Sequence, residues 1–319
     1  MAGRLLPAAQ DERPQERTPI AQRPLKGAAS GPGIAVIGVF GPTASGKTAV
    51  ARAIAKRIPA ELVSADSMQA YRGLPILTNQ DGCDRLVGIW PLDRQGTVGE
   101  YQRLAHEAID EIVAADRTPV VVGGSGLWFQ AALTTVQLPP DVPPDARERW
   151  ERLYDRRGAE TAHGILERRD PRAAARIHVN DRKRVVRALE LWQAGATLVP
   201  EQPRLWSADV RLPTLVVGLE VPRETLAARI RARTRTMFER GVEAEVRSAG
   251  EDVVPQVLGL DAVRTLPRED AITELERATL RLAAYQRKWM RRIPGIVMID
   301  AERPAGEVAD AILEVARAR

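Results

Sequence analysis

Eight consecutive residues, Gly41-Pro42-Thr43-Ala44-Ser45-Gly46-Lys47-Thr48, carry the pattern G-x-x-x-x-G-K-[ST]. The glycines let the backbone curl so that successive N–H groups point inward, Lys47 supplies a mobile cation, and Thr48 offers a hydroxyl to Mg²⁺. Chance would place this pattern in roughly one chain in a hundred of this length. Here it sits between a β-branched apolar run at 34–40 and helical apolar spacing at 49–57, so a helix N-terminus adds its positive end to the cradle. The implied chemistry is the grip of a polyphosphate.

The fate of a gripped polyphosphate is set by other residues. A triphosphatase usually has an apolar strand ending in Asp to hold the metal. Val120-Val121-Val122 ends instead in Gly123-Gly124, so diphosphate binding with group transfer suits the chain better than hydrolysis. Asp66 comes just after a strand read at 61–64 and would stand in the crevice where doubly wound folds bind ligands, as an acid–base residue facing the cradle. It also suits the cap of a helix starting at Ser67, and both readings can hold together.

The elements that must position these groups alternate. A strand at 34–40, a helix at 49–57, a strand at 61–64, a helix at 101–115 and a strand at 119–122 predict right-handed crossovers and a parallel sheet. Residues 138–204 break that rhythm with a Pro-rich start and charged helices, which reads as a helical insertion domain. Strand character returns at 214–219, succeeded by helices at 223–240 and 271–292 and a last strand at 295–299. The expected fold is α/β: a P-loop parallel-sheet core over 34–137 and 205–319, with helices on both faces and a mostly helical insertion.

The bulk numbers bound the alternatives. The 319 residues are 44% apolar, enough for a sizeable core, yet no apolar run approaches 18 residues, so no membrane span is expected. One thiol, Cys83, and three scattered histidines, His106, His163 and His178, leave no internal disulfide and no zinc-ligand spacing, and point to a reducing compartment. Residues 1–33, with Pro7, Pro14, Pro19, Pro24 and Pro32, predict a disordered tail. The net charge is +5, of which the tail's five basic and three acidic side chains supply +2, so a nucleic-acid partner has to be argued from local clusters.

One such cluster is 182–192. On a helix, Val185, Leu189 and Trp192 form an apolar stripe while Lys183, Arg184 and Arg187 share another face, suited to a phosphate backbone or simply to solvent. A second basic run, Arg287-Lys288 with Arg291-Arg292, brackets Trp289, whose ring reads as core before stacking platform.

From Val36 to about Arg292 the chain resembles the tRNA dimethylallyltransferases, also called tRNA isopentenyltransferases. The resemblance is carried by Gly41 to Thr48, by Ser64-Ala65-Asp66-Ser67-Met68-Gln69-Ala70-Tyr71-Arg72-Gly73 and by Val122-Gly123-Gly124-Ser125-Gly126-Leu127. It continues in Ile177-His178-Val179-Asn180-Asp181, in Arg184 with Arg187-Ala188-Leu189-Glu190, and in Arg229-Ile230, Arg233, Met237 and Gly241. Glu243-Ala244-Glu245-Val246, Gln286 and Trp289 complete it.

The resemblance implies transfer of a dimethylallyl group from dimethylallyl diphosphate to N6 of an adenosine beside the anticodon, by a cytoplasmic monomer. The cradle Gly41, Pro42, Thr43, Ala44, Ser45, Gly46, Lys47 and Thr48 would hold the diphosphate with Mg²⁺, Thr48 touching the metal. Arg229 and Arg233 would complete the clamp, Asp66 would accept the N6 proton, and Thr43 would stand near the leaving oxygen. The anticodon stem-loop would be met by Asp66, Ser67, Met68 and Gln69, by Ser125 and Arg147, and by Lys183, Arg184, Val185, Val186 and Arg187.

These roles are chemically coherent. An exocyclic adenine amine is a weak nucleophile that gains from a proton-accepting carboxylate, diphosphate departure needs its charge neutralised, and the stacked base must be flipped to reach the site. The chain departs from the family pattern in Leu77-Thr78-Asn79-Gln80, where Gly-Thr-Ala-Lys is usual, and in 87–92, where Pro-His-His is replaced around Ile89. It departs again at Leu280, where Thr-Arg-Gln is usual, and at Gly259-Leu260, where Gly-Tyr is common. The same core chemistry would serve free adenylate, a P-loop kinase would use Asp66 on a hydroxyl, and a silent RNA-binding module would not need Asp66; the helical insertion and its basic helix favour a large RNA acceptor.

Overall fold

The structure, a computed structural model, describes residues 33–80, 82–135, 142, 144–198, 210–253 and 256–319. The expected disordered tail therefore lies, but for Gly33, outside the described residues, as do most of the Pro-rich start and the end of the insertion.

Five strands, β1 Val36–Phe40, β2 Ala60–Ser64, β3 Thr118–Gly123, β4 Thr214–Glu220 and β5 Val297–Asp300, form one parallel sheet in the order β2-β3-β1-β4-β5. The inner runs are continuously apolar because both faces of the sheet are covered, and the period of two sends alternate side chains to opposite cores. Val36, Phe40, Val121 and Val216 join one core beneath helices α2 Val98–Ala114 and α3 Gly126–Leu133. Ile37, Val39, Val120, Val122, Leu215 and Val217 join the other, beneath α1 Lys47–Ala55 and α12 Ala305–Arg317. A capping box between Thr97 and Glu100 starts α2 and satisfies donors the first turn would leave bare.

Chain order reverses about β1: β3 fills the gap between β1 and β2, and β4 pairs on the far side of β1. That reversal opens a crevice at the carboxyl ends of β1 and β3, which is where an open α/β sheet binds its ligand.

Between α3 and β4 the chain forms α4 Pro144–Arg157, α5 Ala159–Arg169, α6 Pro171–Ala174 and α7 Arg182–Gln193. These helices share an apolar cluster built on Leu166, Ala173, Ile177, Val185 and Leu189. After β4 come α8 Arg223–Glu239, α9 Val242–Ser248, α10 Leu260–Thr265 and α11 Arg268–Met290. Together with Leu74 and Leu77 from the segment after β2, α8 to α11 enclose a further apolar cluster beside the crevice.

Four helices were not anticipated. Helix α3 is buried almost all round and has no amphipathic period to read. Helices α9 and α10 are only 7 and 6 residues long and each begins at a left-handed glycine, Gly241 and Gly259. Helix α12, by contrast, did carry a signal, with Val308, Ala309, Ile312 and Leu313 at helical spacing; it closes the second core against α1, where Arg57 pairs with Asp310.

A helix beginning at Ser67 is not formed. Residues 67–70 make a turn, and Asp66 Oδ1 accepts from the N–H of Met68 at 2.9 Å, so the carboxylate caps a turn and keeps its second oxygen for other work.

Candidate active site

The crevice holds a cavity of about 320 Å³. Thr43, Ala44, Gly46, Lys47 and Thr48 line it from the loop between β1 and α1, Asp66, Met68 and Gln69 from the turn after β2, and Gly123 from the end of β3. Arg229 and Arg233 reach it from α8 and Gln286 from α11. The sequence motifs, 43–48, 66–69 and 229–233, are thus brought to one volume by three crossovers of the sheet.

The loop has the backbone a cradle needs. Gly46 adopts φ 88°, a left-handed conformation that glycine takes without strain, and turns the chain into the first N–H groups of α1. Ser45 is enclosed, and its hydroxyl has no hydrogen-bond partner among the described residues. Lys47 Nζ folds back onto the carbonyl of Pro42 at 2.8 Å. Burial lowers its ammonium from the ordinary 10.5 to about 8, with Asp66 opposing that shift and Arg233 adding to it. An anion in the cavity would supply the negative charge this lysine lacks. Burial likewise lowers the Arg233 guanidinium, opposed by Asp66, and pushes the Cys83 thiol up to about 12, which makes that thiol inert.

Thr43 is held from two sides. Arg233 donates to its hydroxyl at 2.6 Å, and its own N–H donates to Gln286 Oε1 at 2.7 Å. Arg229 reaches the Ala44 carbonyl only at 3.5 Å, a weaker tie to the loop than that made by Arg233. The role of Gln286 was not assigned from the sequence: it is one glutamine within a long helix, and no local signal says that residue 286 meets residue 43.

The far wall of the cavity is apolar. Leu77, Met237, Leu258 and Leu275 line it, backed by the cluster around Leu74 and Phe238. This wall was also missed, because its residues come from four separate segments and each alone reads as ordinary core. The cavity therefore gathers cationic and amide donors, apolar side chains and the Asp66 carboxylate around one volume, a lining that fits a charged head group carrying a short hydrocarbon tail.

No cluster of three acidic, histidine or cysteine side chains able to hold a metal occurs among the described residues. Thr48 alone would offer a hydroxyl beside Lys47, with substrate phosphates and water completing the shell. That donor set fits Mg²⁺, which keeps water and is commonly bound through one or two protein groups plus phosphates.

A second pocket, also about 320 Å³, is lined by Arg147, Arg182, Lys183, Arg187, Glu151 and Glu190. Glu190 is 1% exposed, accepts from Arg187 at 2.9 Å and stands 3.8 Å from Arg147, holding guanidinium groups from α7 and α4. Lys183 bonds Gln256, which lines this pocket, and Leu258 two positions on lines the first, so one short segment borders both. Arg184, on the same helix, pairs with Asp181.

One of the residues expected to meet RNA is corrected. Val185 is fully buried at 0% exposure in the helical cluster and has no surface to offer, because the apolar stripe that folds α7 runs through it. Val186 is also buried and reaches only the floor of the basic pocket. Trp192 leaves that stripe and lies under Arg169 at 4.7 Å. Ser125 caps α3 at the rim after β3, and Ser67 sits half-buried in the turn after Asp66. Trp289 packs into the core over Gly126, where even a methyl group would collide with its ring.

The family departures have visible structural roles. Gln80 donates to the carbonyls of Gln69 at 3.2 Å and of Tyr71, pinning the turn that carries Asp66. Leu260 is buried in the cluster behind the apolar wall, Ile89 packs on the core under α2, and Leu280 faces outward from α11.

The sequence model of the IPP transferase family matches residues 69–293, and that of the isopentenyl transferases matches 34–82. A tRNA dimethylallyltransferase of Corynebacterium jeikeium is 37% identical over 287 residues, covering 84% of this chain and 92% of its own. Another of the same name, from Acidothermus cellulolyticus, is 36% identical, covering 89% and 92%. The crystal structure of a tRNA isopentenylpyrophosphate transferase from Bacillus halodurans superimposes with a TM-score of 0.62 at 28% identity, over 88% of this chain and 95% of that one. A eukaryotic dimethylallyltransferase acting on tRNA shares the fold, with a TM-score of 0.73 at 23% identity, over 89% and 79%.

Proposed function

This chain belongs to the IPP transferase family, and from that premise we propose that it transfers the dimethylallyl group of dimethylallyl diphosphate to N6 of an adenosine beside the tRNA anticodon, releasing diphosphate. The observation that carries the reading is the lining of a single cavity by the Thr43 to Thr48 loop, by Arg229 and Arg233, by Leu77, Met237, Leu258 and Leu275, and by the Asp66 carboxylate.

Each residue has a physical task. The N–H groups of the Thr43 to Thr48 loop, Lys47 and the arginines Arg229 and Arg233 hold the diphosphate, and their charge lowers the cost of its departure. Thr48 would hold Mg²⁺, which when bound adds charge neutralisation at the phosphates. Leu77, Met237, Leu258 and Leu275 hold the hydrocarbon and keep water from the allylic carbon as it loses its leaving group. Asp66 accepts the proton from the attacking amine; its link to Met68 N–H fixes the carboxylate toward the cavity. The Arg147, Arg182, Lys183 and Arg187 pocket holds the RNA so that one flipped base reaches the neighbouring cavity. No helix among the described residues is long and apolar enough to cross a membrane, and we place the reaction in the cytoplasm with the protein acting as a monomer.

The deciding experiment supplies dimethylallyl diphosphate labelled in the prenyl group to tRNA and, separately, to adenylate. Label in tRNA, released on digestion as N6-(dimethylallyl)adenosine, is the expected result. Label in adenylate alone would replace this reading with a free-nucleotide prenyltransferase.

A further inference from the structure

The cavity contains one polar group to which the proposed mechanism gives no task, the side-chain amide of Gln286. The residue is 6% exposed, sits in the last third of α11 and lines the cavity between the Thr43 to Thr48 loop and the end of β3. Its Oε1 accepts from the main-chain N–H of Thr43 at 2.7 Å. Because that partner is a donor, the amide can face only one way, which leaves Nε2 as the free end. Among the described residues nothing accepts a hydrogen bond from Nε2. The nitrogen lies where a side chain at position 124 would be, 2.5 Å from the site of a Cβ on Gly124, so the glycine makes the room it occupies.

An amide donor that lines the cavity with no protein acceptor is available to a ligand oxygen. The groups around it narrow the choice of ligand. Lys47 and Arg233 line the same cavity with cationic donors, a field that favours an anionic oxygen. Resting on the diphosphate reading of this cavity, we propose that Gln286 is a further substrate-contacting residue: its Oε1 locks the loop at Thr43 and its Nε2 donates to an oxygen of the leaving diphosphate. One side chain then couples loop geometry to leaving-group recognition, and the coupling crosses from α11 to the ends of β1 and β3.

Substituting glutamate separates the two tasks. Gln286→Glu keeps an acceptor for the Thr43 N–H but replaces the donor with a negative charge. With Mg²⁺ and inorganic pyrophosphate as the probe, calorimetry at pH 8 is expected to show the dissociation constant rising at least about tenfold over wild type. The ratio of variant to wild type should shrink only as pH falls toward about 4.3, where a glutamic acid regains a proton to donate. Gln286→Glu keeps the Thr43 anchor, so a loss of affinity with an unchanged ligand-free Tm reports the lost donor and the added charge beside the diphosphate, and affinity within twofold of wild type at pH 8 overturns the proposal. Should Gln286→Glu fail to fold, Gln286→Met keeps the shape without the donor and is expected to weaken pyrophosphate by at least about threefold; unchanged affinity there overturns it as well. Wild-type protein that bound no pyrophosphate would instead overturn the reading of the whole cavity, and this inference with it.

Discussion

Arg233 donates to the hydroxyl of Thr43 at 2.6 Å across a separation of 190 residues, tying the middle of α8 to the loop after β1. The contact fixes a guanidinium beside the loop, so its positive charge would already be oriented for the diphosphate of the proposed reaction. Burial lowers this guanidinium relative to its ordinary state, and an incoming anion reverses that penalty.

Arg233→Gln is therefore expected to weaken Mg²⁺-pyrophosphate by about ten- to a hundredfold while leaving tRNA affinity within twofold. Calorimetry with each ligand separately measures both. Equal loss for the two ligands would show that the arginine supports the fold and not the phosphate end.

Lys47 gives a pH signature. Burial lowers its pKa to about 8, and a bound diphosphate would hold that proton on. Pyrophosphate affinity should therefore fall as pH rises above about 8, by up to tenfold per pH unit, and binding at pH 9 should take up protons from the buffer. Calorimetry in buffers of different ionisation enthalpy counts those protons, and none taken up would refute the shift.

The same lysine bears on stability, with the opposite sign from a paired carboxylate. Its folded value, about 8, lies below the ordinary 10.5, so the buried ammonium costs stability at pH 7 and the penalty fades as pH climbs from 8 toward 10.5. Lys47→Met should raise the ligand-free Tm at pH 7 by a few degrees, raise it less at pH 10, and abolish pyrophosphate binding. Thermal scans at the two pH values check this.

Asp66→Asn preserves the acceptor for the Met68 N–H and removes the base. It is expected to lower kcat at least a hundredfold while pyrophosphate binds as well as before or tighter, since a negative charge has left the neighbourhood of Lys47 and Arg233. Single-turnover prenyl transfer with saturating tRNA gives the rate. Near-normal turnover would remove Asp66 from the chemistry.

At the basic pocket, Arg187→Ala should raise KM for tRNA with kcat nearly unchanged and reduce the salt slope of tRNA binding by about 1. Glu190→Gln should shift KM in the same direction, because the carboxylate that holds Arg187 and faces Arg147 loses its charge. Salt titrations of tRNA binding distinguish a lost phosphate contact from a general loss of fold.

Much of the cavity was readable from local pattern. The cradle at 41–48 announces itself because backbone curl, helix N-terminus and lysine must be contiguous, and Asp66 because a residue just past a strand in an alternating α/β chain falls at the crevice. The parallel sheet was implied by strands that alternate with helices, since such crossovers return each strand in the same direction. Helix α7 was also legible, yet its periodicity could not say which residues of the basic stretch meet RNA, and burial removed Val185 from that set.

What the sequence by itself determined is the chemistry that needs neighbouring residues: a phosphate grip, a carboxylate after the second strand, a basic amphipathic helix, and the family. What only tertiary structure decided is the pairing of groups far apart in the chain. Gln286 on Thr43, Arg233 on its hydroxyl, and an apolar wall from Leu77, Met237, Leu258 and Leu275 all depend on how α8 and α11 settle over the sheet. Hydrogen bonding within a loop or helix is set by residues a few positions apart, whereas side-chain contact across the crevice is set by the packing of whole elements, and packing leaves no periodic trace in the sequence.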